Sequence, residues 1–320
     1  MESKYDRYHI EQLEREIRQT LHKQLANVPR PFGLIFSGGF DSGLLAALTQ
    51  PDFIFTIRLP FGTRYDESHY ANAIIDHLGL RQRTTIIEFS EDLFRQNVEE
   101  AVKAMGEPVS HFSLVPFSVL MKTVKDRFSS MGIEPHVLSG EGPDEYLGGY
   151  ARYIIFDQFN RLYSEPELIN YSETVDKALG ENLLKKYIDF MGYKKVYEKL
   201  DVSKLSEYPY LGKLGYMDMQ SGVIEKMEQK LAKHHGVNLH YPYIEPFFAE
   251  HCYRMPDNFK VRDGVTKWAF RQVCMKYLPE IMRNRHKMGG PVAPVNHWLG
   301  GAESEFSKEV WIQHQQKILK

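Results

Sequence analysis

Cysteine is scarce in this chain of 320 residues: Cys252 and Cys274 are the only two, and neither stands in a CxxC or Cys/His ligand spacing. That excludes a disulfide framework and argues against a structural zinc site. No apolar run approaches the roughly 20 residues that span a bilayer. The opening MESKYDRYHIEQLEREIRQ is charged and helical, not a secretory signal. The chain therefore reads as soluble and cytoplasmic, with no membrane partner, and the sequon at Asn170 reads as chance. Long basic runs are also missing, with 40 basic against 42 acidic residues. Charge thus gives no support for a nucleic-acid partner, although a local cluster could still hold a small anion. Repeats and low-complexity tracts are absent. His234, His235 and His240 have no second cluster at ligand spacing, so a transition-metal site is not expected. The 19 Tyr and 19 Phe read as core.

What is present is an ordinary globular composition, 42% hydrophobic and 26% charged. Leu13, Ile17, Leu21 and Leu25 recur every fourth residue and predict an amphipathic first helix, ended by Pro29 and Pro31. Strands are predicted at FGLIF, DFIFTIRL, RTTIIEF and PHVLSG. Helices are predicted between them: Ser42–Leu48, DESHYANAIIDHLGL, Glu91–Met105 and VPFSVLMKTVKDRFSSMG. Such alternation predicts an α/β fold, a parallel twisted sheet with helices on both faces, over residues 1–150. Residues 151–320 read as a mainly helical region, including Asn182–Leu200 and Tyr216–His235, with no clear strand. The boundary near 150 carries no Pro/Ser-rich linker.

Parallel sheets bind ligands outside the carboxyl ends of their strands. Two glycine-containing turns follow predicted strands there, Ser37–Ser42 and Ser139–Gly149, and both should face one crevice. In SGGFDS, Gly38 and Gly39 let backbone N–H groups approach an anion, and Ser37 and Ser42 add hydroxyls. Asp41 would repel a phosphate unless a cation lies between them, and Mg²⁺ resolves that conflict. A plain strand-to-helix turn is the bland alternative. In LSGEGPDEYLGGY, Glu141, Asp144 and Glu145 place three carboxylates within five residues. Asp41 and Asp144 could share a metal, leaving Glu141 as a base or a holder of an amine. Lys267 and Arg271 lie at helical i,i+4 spacing on one face, and Arg283, Arg285, His286 and Lys287 adjoin a Gly-Gly-Pro turn. A solvated basic face would explain them; so would lysines reaching a polyphosphate and its transition state.

With these segments together, the chain resembles the synthetase domain of asparagine synthetases, within the N-type ATP pyrophosphatases (the PP-loop, adenine nucleotide alpha hydrolase-like group). SGGFDS is similar to their pyrophosphate loop and LSGEGPDEYLGGY to their second signature. YDESHYANAIIDHLGL, HYPYIEPFFAEH and TKWAFRQVCMKYLPEIMRNRHKMGGP look like the remaining landmarks. The resemblance runs from about residue 10 to residue 300. It implies a carbon–nitrogen ligase in which a carboxylate attacks the α-phosphate of ATP, pyrophosphate leaves with Mg²⁺, and ammonia or an amine displaces AMP. Position by position, it implies Asp41 and Asp144 as Mg²⁺ ligands and Ile35, Ile57, Ser139 and Gly140 as adenosine contacts. It implies Ser37, Gly38, Gly39 and Ser42 on the pyrophosphate and Lys267 on the ATP phosphates. Lys287 would stabilise the α-phosphorus transition state, and Glu141 would handle the incoming ammonia. A tyrosine is typical at that last position in β-lactam-forming relatives, so Glu141 favours amide formation over cyclisation.

Departures from the family pattern accompany the matches. Residue 2 is Glu where glutamine-hydrolysing relatives carry a nucleophilic cysteine. Free ammonia, another amine or a separate glutaminase subunit is therefore the expected nitrogen source; a homodimer is left open. Relatives usually read Glu-Ala-Arg-Val-Pro-Phe-Leu-Asp where this chain has Asn238 to Glu245, NLHYPYIE. Gln229 and Lys230 stand where an acidic and a basic residue are usual, and Arg58 where glycine is common. These changes leave aspartate as one candidate acid, beside a natural-product acid joined to hydroxylamine, hydrazine or an amino-acid amine. An RNA-modifying relative shares only the first loop. A non-catalytic nucleotide-binding subunit would have no physical need for Asp41, Asp144, Glu141, Lys267 and Lys287 together.

Overall fold

The computed structural model describes residues 3–58, 68–164, 184–200, 202–285, 298–299 and 308–320. Five strands form one sheet in the order β3-β2-β1-β4-β5, with β1 Gly33–Ile35, β2 Phe53–Arg58, β3 Thr84–Glu88, β4 His136–Leu138 and β5 Asn238–His240. Every pairing is parallel. Helices α2 (Phe40–Thr49), α3 (Ser68–His77), α4 (Glu91–Met105) and α5 (Leu114–Ser129) lie between successive strands, as the alternation predicts. The α/β fold is therefore as expected. β1 and β2 are apolar runs because a central parallel strand is covered on both faces; Leu34, Ile54 and Phe55 are fully buried. α4 starts at Ser90, whose side chain accepts from the Leu93 amide, and ends at Gly106 in the left-handed region. Its apolar stripe packs with Leu120, Met121, Val124 and Phe128 of α5 into one core, completed by Trp298 and Trp311. Lys308–Ile318 is helical, and its buried Gln315 donates to the Val109 carbonyl and accepts from the Val109 amide.

The chain divides into two compact units, and the division does not fall once, near residue 150. One comprises Met1–Gln24, Glu141–Gly222 and Tyr243–Lys276; the other comprises Leu25–Gly140, Val223–Pro242 and Tyr277–Lys320. The second holds the whole sheet, because β5 returns to it from the late sequence. No strand is expected after residue 151, so β5 is a correction. Its three residues are all half-buried, with Leu239 alone apolar, and it has neither the alternation nor the apolar run that marks a strand.

In the first unit, α1 (Lys4–Leu25) buries Ile10, Leu13, Ile17 and Leu21, with Leu25 half-buried. The expected helix Tyr216–His235 is two helices, α8 (Tyr210–Ser221) and α9 (Val223–His234), the latter in the second unit; Gly222 between them has φ 53°. Of the expected Asn182–Leu200, residues 184–191 and Lys194–Tyr197 are helical, separated by Gly192 at φ 69°. α8 packs against α7 (Ala151–Ser164) through a buried polar knot: Asp218 accepts from Arg152, Tyr153 and Tyr187 at 2.6–2.7 Å. A carboxylate so buried is tolerated because each oxygen has a donor and Arg152 supplies the opposite charge. No helix among the described residues is long and apolar enough to cross a membrane.

Gly212 and Gly215 put a bare backbone face on α8. A Cβ on Gly215 would run into the Glu145 carbonyl oxygen, and one on Gly212 into that of Tyr253. Backbone cannot retreat as a side-chain tip can. Gly215→Ala is therefore expected to cost ~1–3 kcal/mol in urea unfolding despite the better helix propensity of Ala; a neutral or stabilising result would contradict this packing.

Candidate active site

The strand order reverses at β1, since β2 lies on one side of it and β4 on the other. That is the switch point at which doubly wound sheets open a crevice beyond the strand ends. The Ser37–Ser42 loop leaves β1 there, and Ser139–Gly140 leaves β4 there. The two meet: a Cβ on Gly140 would lie 3.1 Å from the Ser42 amide nitrogen, so a side chain there would push the loop back by a few tenths of an ångström. Ser139–Gly140 and the Ser37–Ser42 loop thus lie side by side at the strand ends.

The first loop is held by its own serines. The hydroxyls of Ser37 and Ser42 lie 3.1 Å apart, the Ser37 amide donates to Ser42 Oγ at 3.3 Å, and the Gly39 amide donates to Ser37 Oγ at 3.3 Å. Gly38 has φ 73°, and a Cβ there would be 2.7 Å from that of Ala71 in α3. Gly39 caps α2 without a side-chain bond, so the positive end of the helix is presented at the loop. Asp41 stands in the first turn of α2, half-buried. Ile35 ends β1 and Ile57 is the penultimate residue of β2, both half-buried near the carboxyl edge.

A cation that sequence reasoning left without a role stands at this loop. Arg285 is buried, its guanidinium 5.4 Å from the Tyr70 ring centre, and a Cβ on Gly39 would lie 3.4 Å from its Nη1. In the sequence it is one of several basic residues in a row, and only folding separates it from Arg283, which is exposed and paired with Glu280. Lys287 lies outside the described residues.

The acidic turn belongs to the first unit from Glu141 onward. Gly142 has φ 114° and begins α6, the single helical turn Pro143–Tyr146. Lys267 pairs with Asp144 at 2.5 Å, its side chain only 5% exposed. Lys267 is not inside a helix, as the i,i+4 reading has it. It caps Trp268–Cys274 from the left-handed region, φ 50°, and its carbonyl accepts from the Arg271 amide. A lysine in that conformation costs about a kcal/mol or more and is kept where the surroundings over-determine it. Gly149 is part of that restraint, since a Cβ there would strike Asp144 Oδ1.

Glu145 accepts from Tyr150 at 2.5 Å through Oε1, while Oε2 is buried with no hydrogen-bond partner among the described residues. Burial, with the like charges of Asp144 and Glu141, pushes its carboxyl up to about 8. Glu145 is thus protonated at neutral pH. That is how three acids in five residues coexist: one is kept neutral, and Asp144 is paired with Lys267. Mg²⁺ prefers hard oxygen donors, and Asp41 with the hydroxyls of Ser37 and Ser42 supplies such donors at the first loop, so the donor chemistry there fits.

The departures from the family pattern resolve into local bonding. Glu245 caps Pro246–Arg254, accepting from the amides of Phe247 and Phe248, and pairs with Lys23 of α1 at 2.7 Å. Asn238 donates to Glu134 and to the Pro135 carbonyl. His240 stacks on His136, their ring nitrogens 3.0 Å apart. Lys230 donates to the Met105 carbonyl, and Arg58 faces Glu88 at 3.5 Å.

A parallel α/β sheet with a self-bonded Gly-rich loop at its switch point defines a nucleotide-binding class of protein. The asparagine synthase family model matches residues 12–318, and the chain belongs to that family, one of ATP-dependent carbon–nitrogen ligases. It is 23% identical to asparagine synthetase [glutamine-hydrolyzing] 1 of Bacillus subtilis (strain 168), over 96% of this chain and 53% of that protein. It is 25% identical to a putative asparagine synthetase [glutamine-hydrolyzing] of Mycobacterium bovis, over 85% of this chain and 46% of that one. The chain thus spans about half the length of these relatives. Among solved structures it is similar to an NH3-dependent NAD synthetase from Campylobacter jejuni. The likeness is slight, with TM-score 0.30 and 17% identity, over 69% of this chain and 95% of that one.

Raising an acid's pKa from its ordinary 4.5 to about 8 penalises the folded state progressively as pH climbs through that window. Glu145→Gln keeps an acceptor for Tyr150 and cannot ionise. Its melting temperature should therefore gain on the parent's between pH 4.5 and 8; a constant gap would disprove the raised carboxyl. Arg285→Gln should raise the KM for ATP roughly tenfold, about the worth of one charge-assisted hydrogen bond, in steady-state kinetics; an unchanged KM would remove Arg285 from the loop's ligand set.

Proposed function

We propose that the chain is an ATP- and Mg²⁺-dependent amide-forming ligase that adenylates a carboxylic acid, aspartate or a similar one, and passes the acyl group to ammonia or an amine. The observation that carries this reading is the Ser37–Ser42 loop, bonded to itself and approached by Gly140 beyond the ends of β1 and β4. A loop with two glycines, two hydroxyls and a helix N-terminus suits a pyrophosphate that must be gripped as it leaves. In this reading Ser37, Gly38, Gly39 and Ser42, with Arg285, bind the β- and γ-phosphates. Ile35, Ile57, Ser139 and Gly140 flank the adenosine.

Asp41 and Asp144 would hold Mg²⁺, which supplies charge neutralisation on the phosphates when bound. In the first step an acid oxygen bonds to the α-phosphorus and the bond to the bridging oxygen of pyrophosphate breaks. Lys267 and Lys287 offset the charge that develops there. In the second step the amine nitrogen bonds to the acyl carbon, the carbon–oxygen bond to AMP breaks, and Glu141 takes the proton that nitrogen loses. Lys267 enters this chemistry from its pair with Asp144, so each charge is compensated inside the fold before substrates arrive.

Asn238, His240 and Glu245 have local partners, so their departures from the family pattern do not by themselves argue for a different acid. A cytoplasmic setting belongs to this reading. Whether a second copy or an ammonia-supplying subunit is needed is an outcome of the same assay, in which isolated protein is given ATP, Mg²⁺, an acid panel including aspartate, and either ammonium or glutamine. AMP and pyrophosphate dependent on one acid are expected; ADP and phosphate would overturn the reading. Lys287→Ala should lose pyrophosphate release by ~100-fold or more while still binding ATP; undiminished release would sink its role.

A further inference from the structure

In the sheet-bearing unit, the helix layer formed by α4, α5 and α9 carries a second set of chemistry-bearing side chains. Glu100 of α4 lies opposite His234, the last residue of α9, and His235, which follows it. His234 Nε2 is 3.3 Å from Glu100 Oε1, and one ligand atom from each of the three residues lies within 4.8 Å of the other two. The two imidazoles meet edge to face with ring centres 4.9 Å apart. His235 is anchored from behind, its Nε2 sharing a 2.8 Å hydrogen bond with Ser118 Oγ of α5. Such an outer bond fixes the orientation of a histidine whose other nitrogen meets a metal. Adjacent histidines in a regular helix point about 100° apart; these converge because α9 ends at His234 and the chain turns at Gly236, φ 66°.

We propose that Glu100, His234 and His235 form a binding site for a divalent transition-metal ion of the zinc, nickel or copper class. Two imidazoles beside one carboxylate suit that class, whereas Mg²⁺ and Ca²⁺ prefer all-oxygen donors. Three protein ligands leave a fourth position for water. Ligands about 2.0–2.2 Å from an ion sit closer together than 4.8 Å, so the side chains close by an ångström or so on binding. Those of His234 and Glu100 are 39% and 41% exposed, with room to rotate. The opposing charge is Lys122 of α5, whose Nζ is 3.7 Å from Glu100 Oε2; Asp126, one turn on, partly offsets it. The bound ion would clamp α9 to α4, and α9 leads directly into β5. The site stands on residues that the ligase reading does not use, so either can fail alone.

The test is calorimetric titration with Zn²⁺, and the visible spectrum with Co²⁺, in excess Mg²⁺ to occupy hard-oxygen sites. The parent should bind one ion per chain and show the intense bands of a low-coordinate Co²⁺. His234→Gln and Glu100→Gln, both at exposed positions, should lose it. Ser118→Ala should weaken it ~10-fold, and Lys122→Met should tighten it, an effect that no folding defect would mimic. Absence of binding in the parent, or binding unchanged in His234→Gln and Glu100→Gln, would overturn the proposal.

Discussion

The pairing of β1 with β4 organises this molecule. Gly33 lies opposite Val137 and Leu34 opposite Leu138, across about a hundred residues of chain. Parallel strands must point the same way, so both send their following segments out of the same edge of the sheet. The Ser37–Ser42 loop and Ser139–Gly140 are neighbours for that reason alone. Gly140 then sets how near they come, since any side chain there would press on the Ser42 amide. The long crossovers are built from helices whose stripes fill one core, and that core keeps the short strands in register.

Charge is managed by compensation at short range. Asp144 has Lys267, Asp218 has Arg152 with two tyrosines, Glu245 has Lys23 and two amides, and Glu145 keeps its proton. In each case a group that water would ionise freely is buried or half-buried, and an unpaired ion there would be costly. The acidic turn is thereby stable without a strand or a long helix of its own. Its framework is the glycine face of α8, which lies against backbone carbonyls, and the left-handed Lys267, whose side chain pairs with Asp144.

Much of this was legible in the residues. Four strands, four intervening helices and both glycine turns follow from apolar runs, periodicity and breakers, because a buried parallel strand and an amphipathic helix each write their burial directly into composition. Other features had no such signature. β5 is too short and too polar to read as a strand, and exists because β4 offers it an edge. Gly222 reads as one more residue in an apolar period until its φ breaks the helix. Arg285 differs from Arg283 only in what surrounds it.

The sequence by itself determined the family, the α/β class and the two loops with their acids, since those depend on residue type and local spacing. Only the tertiary structure decided which charges meet. Lys267 pairs with Asp144, Arg285 reaches the first loop, Glu100 joins His234 and His235, and the departures at Asn238–Glu245 become caps and cross-links. Electrostatic partnership depends on separation in space and is blind to distance along the chain, so residues more than a hundred positions apart become one site only when the fold brings them together.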